Sequence, residues 1–526
     1  MKRIITYTLA IALITLGACQ KEFTERASLD STTVDNYYNT ADEVRAGTST
    51  LYSGLPWHGF LSRAMDDIGD VMAGNGFSYP SNGDYAAFVN FTLSSTNALV
   101  ADSWKSFYKV AGWSGSLLQA FEMKKSLGGD ASFLDPAIAE CHYMRGTVYF
   151  YLARVWGDVP IVNNPGAVAL SGDYNIPRYL KEDVFRYALE ELKLAEAGLP
   201  ASDVPGRLTT WSAKAMMAKL YLYLQDYTNA ATKAQEVINS GYYDLVSKDD
   251  YRSMFNSSAW NNNIESIFAI QHQLAQNPWG TGNQLQCDRG PGNLQTDVSS
   301  MWELFLPTLD FKAAIEPGDI RRPATIMEHG WTMPEWKPQA GDADYNAFMA
   351  NGYVYDTAQP AGKGGQFNGT RSNIAKYVVG PGAKYGGEEV IGMNTGQNFM
   401  VQRYADVLLI YAEAILGNNA STTDAQALNA FNRVRLRAGL QPKASITKDD
   451  IIQERRIEFA FEGDYWYDIQ RQGYAKAKEI IEAQNRGQVG NPVYVTFTEQ
   501  YMYLPIPAGE IAQDPALAGP PVPYYE

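Results

Sequence analysis

The stretch from Arg403 to Arg471 constrains this chain more than any other. It reads RYADVLLIYAEA, then ALNAFNRVRLRAGL, then IIQERRIEFAFEGDYWYDIQR, and the spacing predicts three consecutive helices. Tyr404, Val407, Leu408, Tyr411 and Ile415 recur at i, i+3, i+4 and i+7, and Leu409 and Ile410 make the opposite side apolar as well. A helix apolar all round has no face to offer water, so this one must lie inside a larger body. The second helix is expected to open at Thr423, with Gln426 three residues on as a capping box, and to stop at Gly439. The third is expected to open with Thr447 and Asp450 and to close at Gly463, after which Asp464 caps the aromatic segment Tyr465, Trp466, Tyr467. Arg455 and Glu458, three residues apart, read with Glu454, Arg456 and Glu462 as an internal ion network and not as catalytic groups.

Upstream, helix pairs follow one another at a pace of some thirty residues. Ala41 to Leu55 forms one helix; Trp104 to Leu127 and Pro136 to Trp156 form an antiparallel pair, the second with Asp135 as its cap. Arg145 falls inside the apolar stripe Ile138, Cys141, Val148, Leu152, Val155 and is expected to be a buried clasp with a carboxylate or carbonyl partner. A helix through Phe185, Leu189 and Leu192 ends at Pro200. Trp211 to Leu224 and Tyr227 to Asn239 then flank QDYTNAATKAQ, similar to the Asp-Tyr-x-x-Ala junction of a tetratricopeptide repeat. Two segments differ. Asp66 to Thr92 is rich in Gly, Asn and Ser and reads as a long loop, while 257–400 reads as loops and short strands inserted before the C-terminal helices.

The phrases RYADVLLIYAEA, NRVRLRAGL and ERRIEFAFEGDYWYDIQR, in that order and followed by YLPIPAGEI, resemble the C-terminal signature of the SusD/RagB family of outer-membrane nutrient-binding lipoproteins. The resemblance continues upstream through CHYMRGTVYFYLARVWGDVPIV and EDVFRYALEELKLAEAGLP. It implies a mainly α, tetratricopeptide-like scaffold with a loop-rich insertion carrying short strands. The expected division is a leader over 1–18, a helical-repeat region over 19–256 and a C-terminal region over 257–526. The resemblance also implies a partner, a SusC-like TonB-dependent transporter that the protein caps while ligand is trapped between them.

The N-terminus supports a membrane tether. Lys2 and Arg3 precede an apolar run, Ile4 to Leu16, that is too short to span a bilayer and ends in LGAC. This looks like a bacterial lipobox, with cleavage before Cys19 leaving that cysteine to be acylated, for instance by palmitate. No later stretch is long and apolar enough for a transmembrane helix, so the mature chain is expected to be anchored by lipid without crossing the membrane. Losing Lys2 and Arg3 with the leader takes the net charge from −15 to −17. Such a surface disfavours nucleic acid and anionic membranes as partners. Spacing leaves the pairing of Cys141 and Cys287 open, though Cys141 on an apolar stripe favours a buried free thiol over a disulfide.

Motifs for chemistry are missing. The glycines at 280–282 and 362–364 lack the spacing of a phosphate loop. His58, His142, His272 and His329 are scattered, and Asp342, Asp344 and Asn346 start like a calcium loop but lack its glycine. No cofactor, metal or enzymatic activity is expected. Tryptophan placement says more. Trp104, Trp113, Trp156, Trp211, Trp302 and Trp466 sit in helical patterns and read as core, whereas Trp57, Trp260, Trp279, Trp331 and Trp336 sit among Gly, Pro, Asn and His. An indole exposed on a loop presents a flat apolar face to the C–H face of a sugar; the plainer role of such a ring is to pin its loop to the scaffold. The ligand-binding candidates are these five tryptophans with Phe77 and Tyr79, on a loop (Gly74 to Asp84) expected to meet the 260–336 segment over one face of the scaffold. Together these features point to a cell-surface protein that captures an oligosaccharide. A peptide binder in the manner of RagB-like members is the rival, and a glycosidase the weakest alternative.

Overall fold

The computed structural model describes residues 34, 36–78, 83–275, 279–294, 296, 300–337, 349–358 and 368–525. Cys19, Tyr79 and the Asp342–Asn346 turn lie outside them.

Helix Tyr404–Leu416 sits at the centre. All but one of its residues are buried, as its all-round apolarity requires. Around it, helices stack in sequence as antiparallel pairs: Ala98–Ser126 on Ala131–Trp156, that helix on Lys181–Gly198, then Thr210–Tyr223 and Tyr227–Ser240, the last of which packs on the central helix. Ala425–Arg437 and Lys448–Glu458 cover its other side. This is the stacked helical scaffold expected from the sequence. Among the described residues no helix is long and apolar enough to cross a membrane. The strands are short and pair two by two, all antiparallel; the longest pair joins Phe399–Arg403 to Ser266–Ile270.

Helix ends show where local chemistry won and where it was overruled. Thr447 and Asp450 form the reciprocal capping box, and Gly439 takes the left-handed backbone (φ 77°) that ends its helix; the third helix stops earlier than expected, at Glu458, and left-handed Gly463 (φ 77°) instead lies in the turn that follows it. Three expected caps are corrected. The second helix is capped by Asp424, not Thr423, because the Asp424 carboxylate accepts from the N–H groups of Gln426 and Ala427 at 2.9 and 3.0 Å; Gln426 instead accepts from the Tyr411 hydroxyl. The long helix Ala131–Trp156 begins a turn before Pro136, because Asp130 caps it through Ser132 N–H at 2.8 Å. Asp464 makes no cap. Its carboxylate is claimed by Lys219 at 2.7 Å, Arg455 at 3.0 Å and Arg154 at 3.2 Å, and buried cations outcompete a backbone N–H for the same oxygens.

The Asp66 to Thr92 stretch is not a loop. It holds a π-turn at Asp67–Val71, a strand at Gly76–Ser78 and a helix at Gly83–Asn90, and the turn is wholly buried. Asp70 fixes it: its carboxylate accepts from Phe461 N–H at 2.9 Å and Gly463 N–H at 3.0 Å. Gly69 lies so close to Gly463 that a Cβ there would stand 2.3 Å from the Gly463 Cα. The polar, glycine-rich composition therefore serves a tight backbone crossing rather than solvent exposure.

The ion network is larger than the sequence suggests, and Arg455 and Glu458 are not each other's partners. Arg455 binds Asp406, Asp464 and Asp468 at 2.7–3.0 Å. Glu458 receives Arg403 at 2.5 Å, Arg321 at 2.8 Å and Arg437. Helical i,i+3 neighbours can turn to opposite sides when each finds fixed charges on neighbouring elements. Arg145 is the buried clasp expected of it, bidentate to Glu191 with both bonds at 2.7 Å. Cys141 and Cys287 are buried free thiols.

Candidate functional site

A second, smaller core lies beneath the 290–378 segment, formed by Leu294, Met301, Met327, Trp331, Trp336, Met349, Tyr353, Tyr355, Ala375 and Val378. Two of the candidate tryptophans belong to it. Trp331 (7% exposed) donates from its indole N–H to the Pro323 carbonyl at 2.8 Å, and Trp336 (2%) packs on Trp331 and Tyr353. Trp57 (1% exposed) is not on a loop at all. It lies in helix Gly54–Leu61, donates to the Leu51 carbonyl at 2.9 Å and packs edge-on to Phe107 and Phe268. These three are corrected to core residues. Flanking Gly, Pro and Asn mark irregular backbone, but irregular backbone here encloses its own hydrophobic cluster. Trp260 closes a short 3-10 turn, half-buried against the main core, and Phe77 is half-buried in the Gly76–Ser78 strand.

Trp279 stands apart. It is 43% exposed, and its ring lies parallel, within 9°, to that of Trp302, which is 44% exposed, with ring centroids 5.9 Å apart. Trp302 is therefore not core, and the sequence reading missed it. Its apparent helical spacing is accidental: Met301 to Leu304 is irregular backbone leading into the strand Phe305–Pro307. Phe305 and Leu306, at i+3 and i+4, imitate a helix face, and the available signal against a helix was Pro307 directly behind them.

Both rings are set by their supports. Trp302 N–H donates to the Cys287 carbonyl at 2.8 Å and Leu304 N–H to the Asp288 carbonyl at 2.7 Å. Glu303 between them adopts a left-handed backbone (φ 55°) and accepts from the Asn368 amide at 2.8 Å. The strand beyond pairs with Gly76–Ser78, Phe77 opposite Leu306, so the Gly74 to Asp84 stretch does meet the 260–336 segment as expected. The helix Leu285–Arg289 behind Trp302 is held by Arg289, bidentate to Asp66 at 2.6 and 3.0 Å and donating to the Phe461 carbonyl. On the other side Gly280 (φ 94°) follows Trp279, and the Thr281 carbonyl accepts from Gln273 N–H at 3.0 Å. Burial, and then the charge of Asp66, pushes the carboxyls of Asp67 and Asp288 well above the usual carboxylate range. Burial likewise pushes the Cys287 thiol up. The two indoles stack on one another, and part of each ring stays open to solvent.

The comparisons with known proteins agree with this architecture. A model of the SusD family matches residues 309–525, and a second, described as starch-binding associating with outer membrane, matches residues 26–222. A SusD-like protein of Bacteroides ovatus is 30% identical over 98% of this chain and 97% of its own length. The chain belongs to the SusD family. SusD-like protein P2 of Formosa agariphila is 25% identical over 88% of this chain and 90% of its own. A crystal structure determined with xylogluco-oligosaccharide superposes with a TM-score of 0.78 at 28% identity, covering 92% of this chain and 99% of that one.

Proposed function

We propose that this SusD-family protein captures an oligosaccharide at the cell surface, on the face formed by Trp279 and Trp302. The observation that carries the proposal is the pair of parallel, stacked indoles, 43% and 44% exposed. Apolar area left in water costs roughly 25 cal/mol per Å², and a protein that spends rigid backbone supports to keep two large rings exposed has a flat apolar ligand to cover them. The C–H face of a pyranose fits that description, with ring hydroxyls left free for water or nearby amides. Support comes from the relative crystallised with xylogluco-oligosaccharide and from the starch-binding, outer-membrane description of the family model matching the N-terminal part. The fuller reading adds acylation at Cys19, an outer-membrane location facing outward, and delivery of the glycan to a SusC-like TonB-dependent transporter. We assign the protein binding and no catalysis.

The test is calorimetry of the purified full chain in detergent against a panel of oligosaccharides and peptides, with Trp279→Ala and Trp302→Ala beside wild type. Each substitution is expected to cost about 1–3 kcal/mol of binding, the scale of one aromatic contact with its buried area, while the thermal midpoint stays in place. Tight peptide binding that ignores both substitutions would overturn the reading in favour of a peptide carrier.

A further inference from the structure

A cleft of about 640 Å³ opens between the start of helix Lys181–Gly198, the end of helix Thr210–Tyr223 and the turns at 471–474 and 499–503. Neither Trp279 nor Trp302 lines it, so it takes no part in the capture proposed above. Its volume falls in the range of small-molecule sites. Arg154, 1% exposed, lies at its floor. The rings of Phe150, Tyr151, Tyr223 and Tyr467 pack around the guanidinium, with their centroids 4.1–5.4 Å from its central carbon. Nη1 donates to the Tyr223 hydroxyl at 3.3 Å and to Asp464 at 3.2 Å. Nε and Nη2 are buried and find no acceptor among the described residues.

Those two atoms form the side-on edge of a guanidinium, whose parallel N–H groups match the two oxygens of a carboxylate. This chain uses that edge repeatedly. Arg145 holds Glu191 with it, both bonds at 2.7 Å; Arg289 holds Asp66 at 3.0 and 2.6 Å; Arg322 holds Glu328 at 2.7 and 3.1 Å. Among the described buried arginines, only Arg154 leaves both atoms of the edge without an acceptor. Asp464 meets its charge only in part, because Lys219 and Arg455 share that carboxylate. An unmade bond to a buried charged donor is costly, and an acceptor brought from outside the fold removes the cost. Lys181 adds a second cation at the rim, its side chain 30% exposed and donating to the Tyr503 hydroxyl at 3.0 Å. Arg471 also lines the cleft but is spent on Glu413 and Asp468. Two acids oppose the cations: Glu182, 3.5 Å from Lys181, and Glu499. Both are exposed at the mouth, where water and salt screen them, whereas Arg154 acts from the interior.

We propose that this cleft is a second ligand site, for a small molecule whose carboxylate takes the Nε–Nη2 edge of Arg154 with Lys181 as the cation at the rim. The test is calorimetry of the purified full chain in detergent with glucuronate, galacturonate and succinate, beside glucose as the neutral control and sulfate as an anion without a carboxylate. At least one carboxylate is expected to bind, about tenfold or more tighter than glucose or sulfate. Lys181→Glu is expected to weaken it about tenfold or more, Glu499→Gln to tighten it, and Trp279→Ala to leave it as it is. Arg154→Lys keeps the charge and loses the fork, so a loss like that of Lys181→Glu is expected; if its melting curve shows a damaged fold, the two rim variants decide. A hexuronate bound ahead of succinate identifies an acidic sugar as the source of the carboxylate, and the reverse order a small dicarboxylic acid. Glucose or sulfate bound as tightly as the carboxylates, carboxylate binding that ignores Lys181→Glu and Glu499→Gln, or no binding at all would each overturn the proposal. None of these outcomes touches sugar capture by the tryptophan pair, which the Trp279→Ala and Trp302→Ala titrations test separately.

Discussion

At the scale of single residues, burial decides which side chains hold the fold and which are left for ligand. Arg145 and Trp336 illustrate the first kind. Replacing Arg145 by Leu strands the Glu191 carboxylate in the interior beside His142, and leaving one member of a buried pair uncompensated costs about 3–5 kcal/mol. Trp336→Ala opens a cavity in the smaller core, with a similar cost of about 3–5 kcal/mol. Both variants are expected to shift the urea midpoint strongly, and neither touches Trp279 or Trp302. An Arg145→Leu protein with a wild-type midpoint would remove the clasp from the account of the core. The pattern contrasts with truncation of the platform tryptophans, where affinity falls and stability does not.

At the scale of elements, charge does the fastening. Glu413 on the central helix receives Arg471, which follows the aromatic segment, and Lys448, the first residue of the Lys448–Glu458 helix. Burial works against the charged carboxylate, but Arg471 and Lys448 prevail and hold its pKa down to about 2. A folded-state value below the ordinary 4.5 means that the stabilisation is fully present above pH 4.5 and is lost as pH falls through that value toward 2. The shift corresponds to something on the order of 3 kcal/mol. Asp70 runs the other way. Burial, with the charge of Asp66, raises it to about 7, so its contribution declines as pH rises from about 4 to 7. The expected outcome is a melting temperature that drops between pH 5 and pH 3, with a shallower drop in Glu413→Gln; identical slopes in the two proteins would rule out this junction as a source of acid sensitivity. The Arg455 and Glu458 networks share the same logic of several opposite charges per buried ion.

At the scale of the whole molecule, remote parts of the chain close on one another. The turn at Asp67–Val71 sits on the Phe461–Gly463 corner, Arg486 donates to the Val71 and Met72 carbonyls, and the C-terminal segment returns to the first helices through Leu504 N–H to the Val155 carbonyl and Ala508 N–H to the Ser95 carbonyl. A body tied together this way does not need a membrane to fold. Cys19→Ala is therefore expected to leave a folded protein with a wild-type melting curve that no longer fractionates with outer membranes when the proposed transporter is absent. Persistent membrane fractionation in those cells would refute the lipid anchor.

Much of this molecule was legible in the amino-acid order because the signals were local. A helix apolar on every side can only be central, so Tyr404–Leu416 was placed by its own composition. The Thr447 box, Gly439 and the buried Arg145 were readable for the same reason: each involves groups a few residues apart, or a charge whose burial the surrounding stripe dictates. Tertiary structure decided what depends on distant partners. Asp464 was drawn from capping to Lys219, Arg154 and Arg455, since buried cations bind a carboxylate more strongly than a nearby N–H does. The polar stretch after Asp66 was pulled inside because it supplies the close crossing at Gly69 and Gly463. The tryptophans were sorted by the same principle: Trp57, Trp331 and Trp336 found enclosing surfaces, while Trp302 emerged beside Trp279. Exposure is a property of what lies over a side chain, and that cover comes from other segments of the chain, near for Trp331 and Trp336 and far for Trp57, which packs on Phe268.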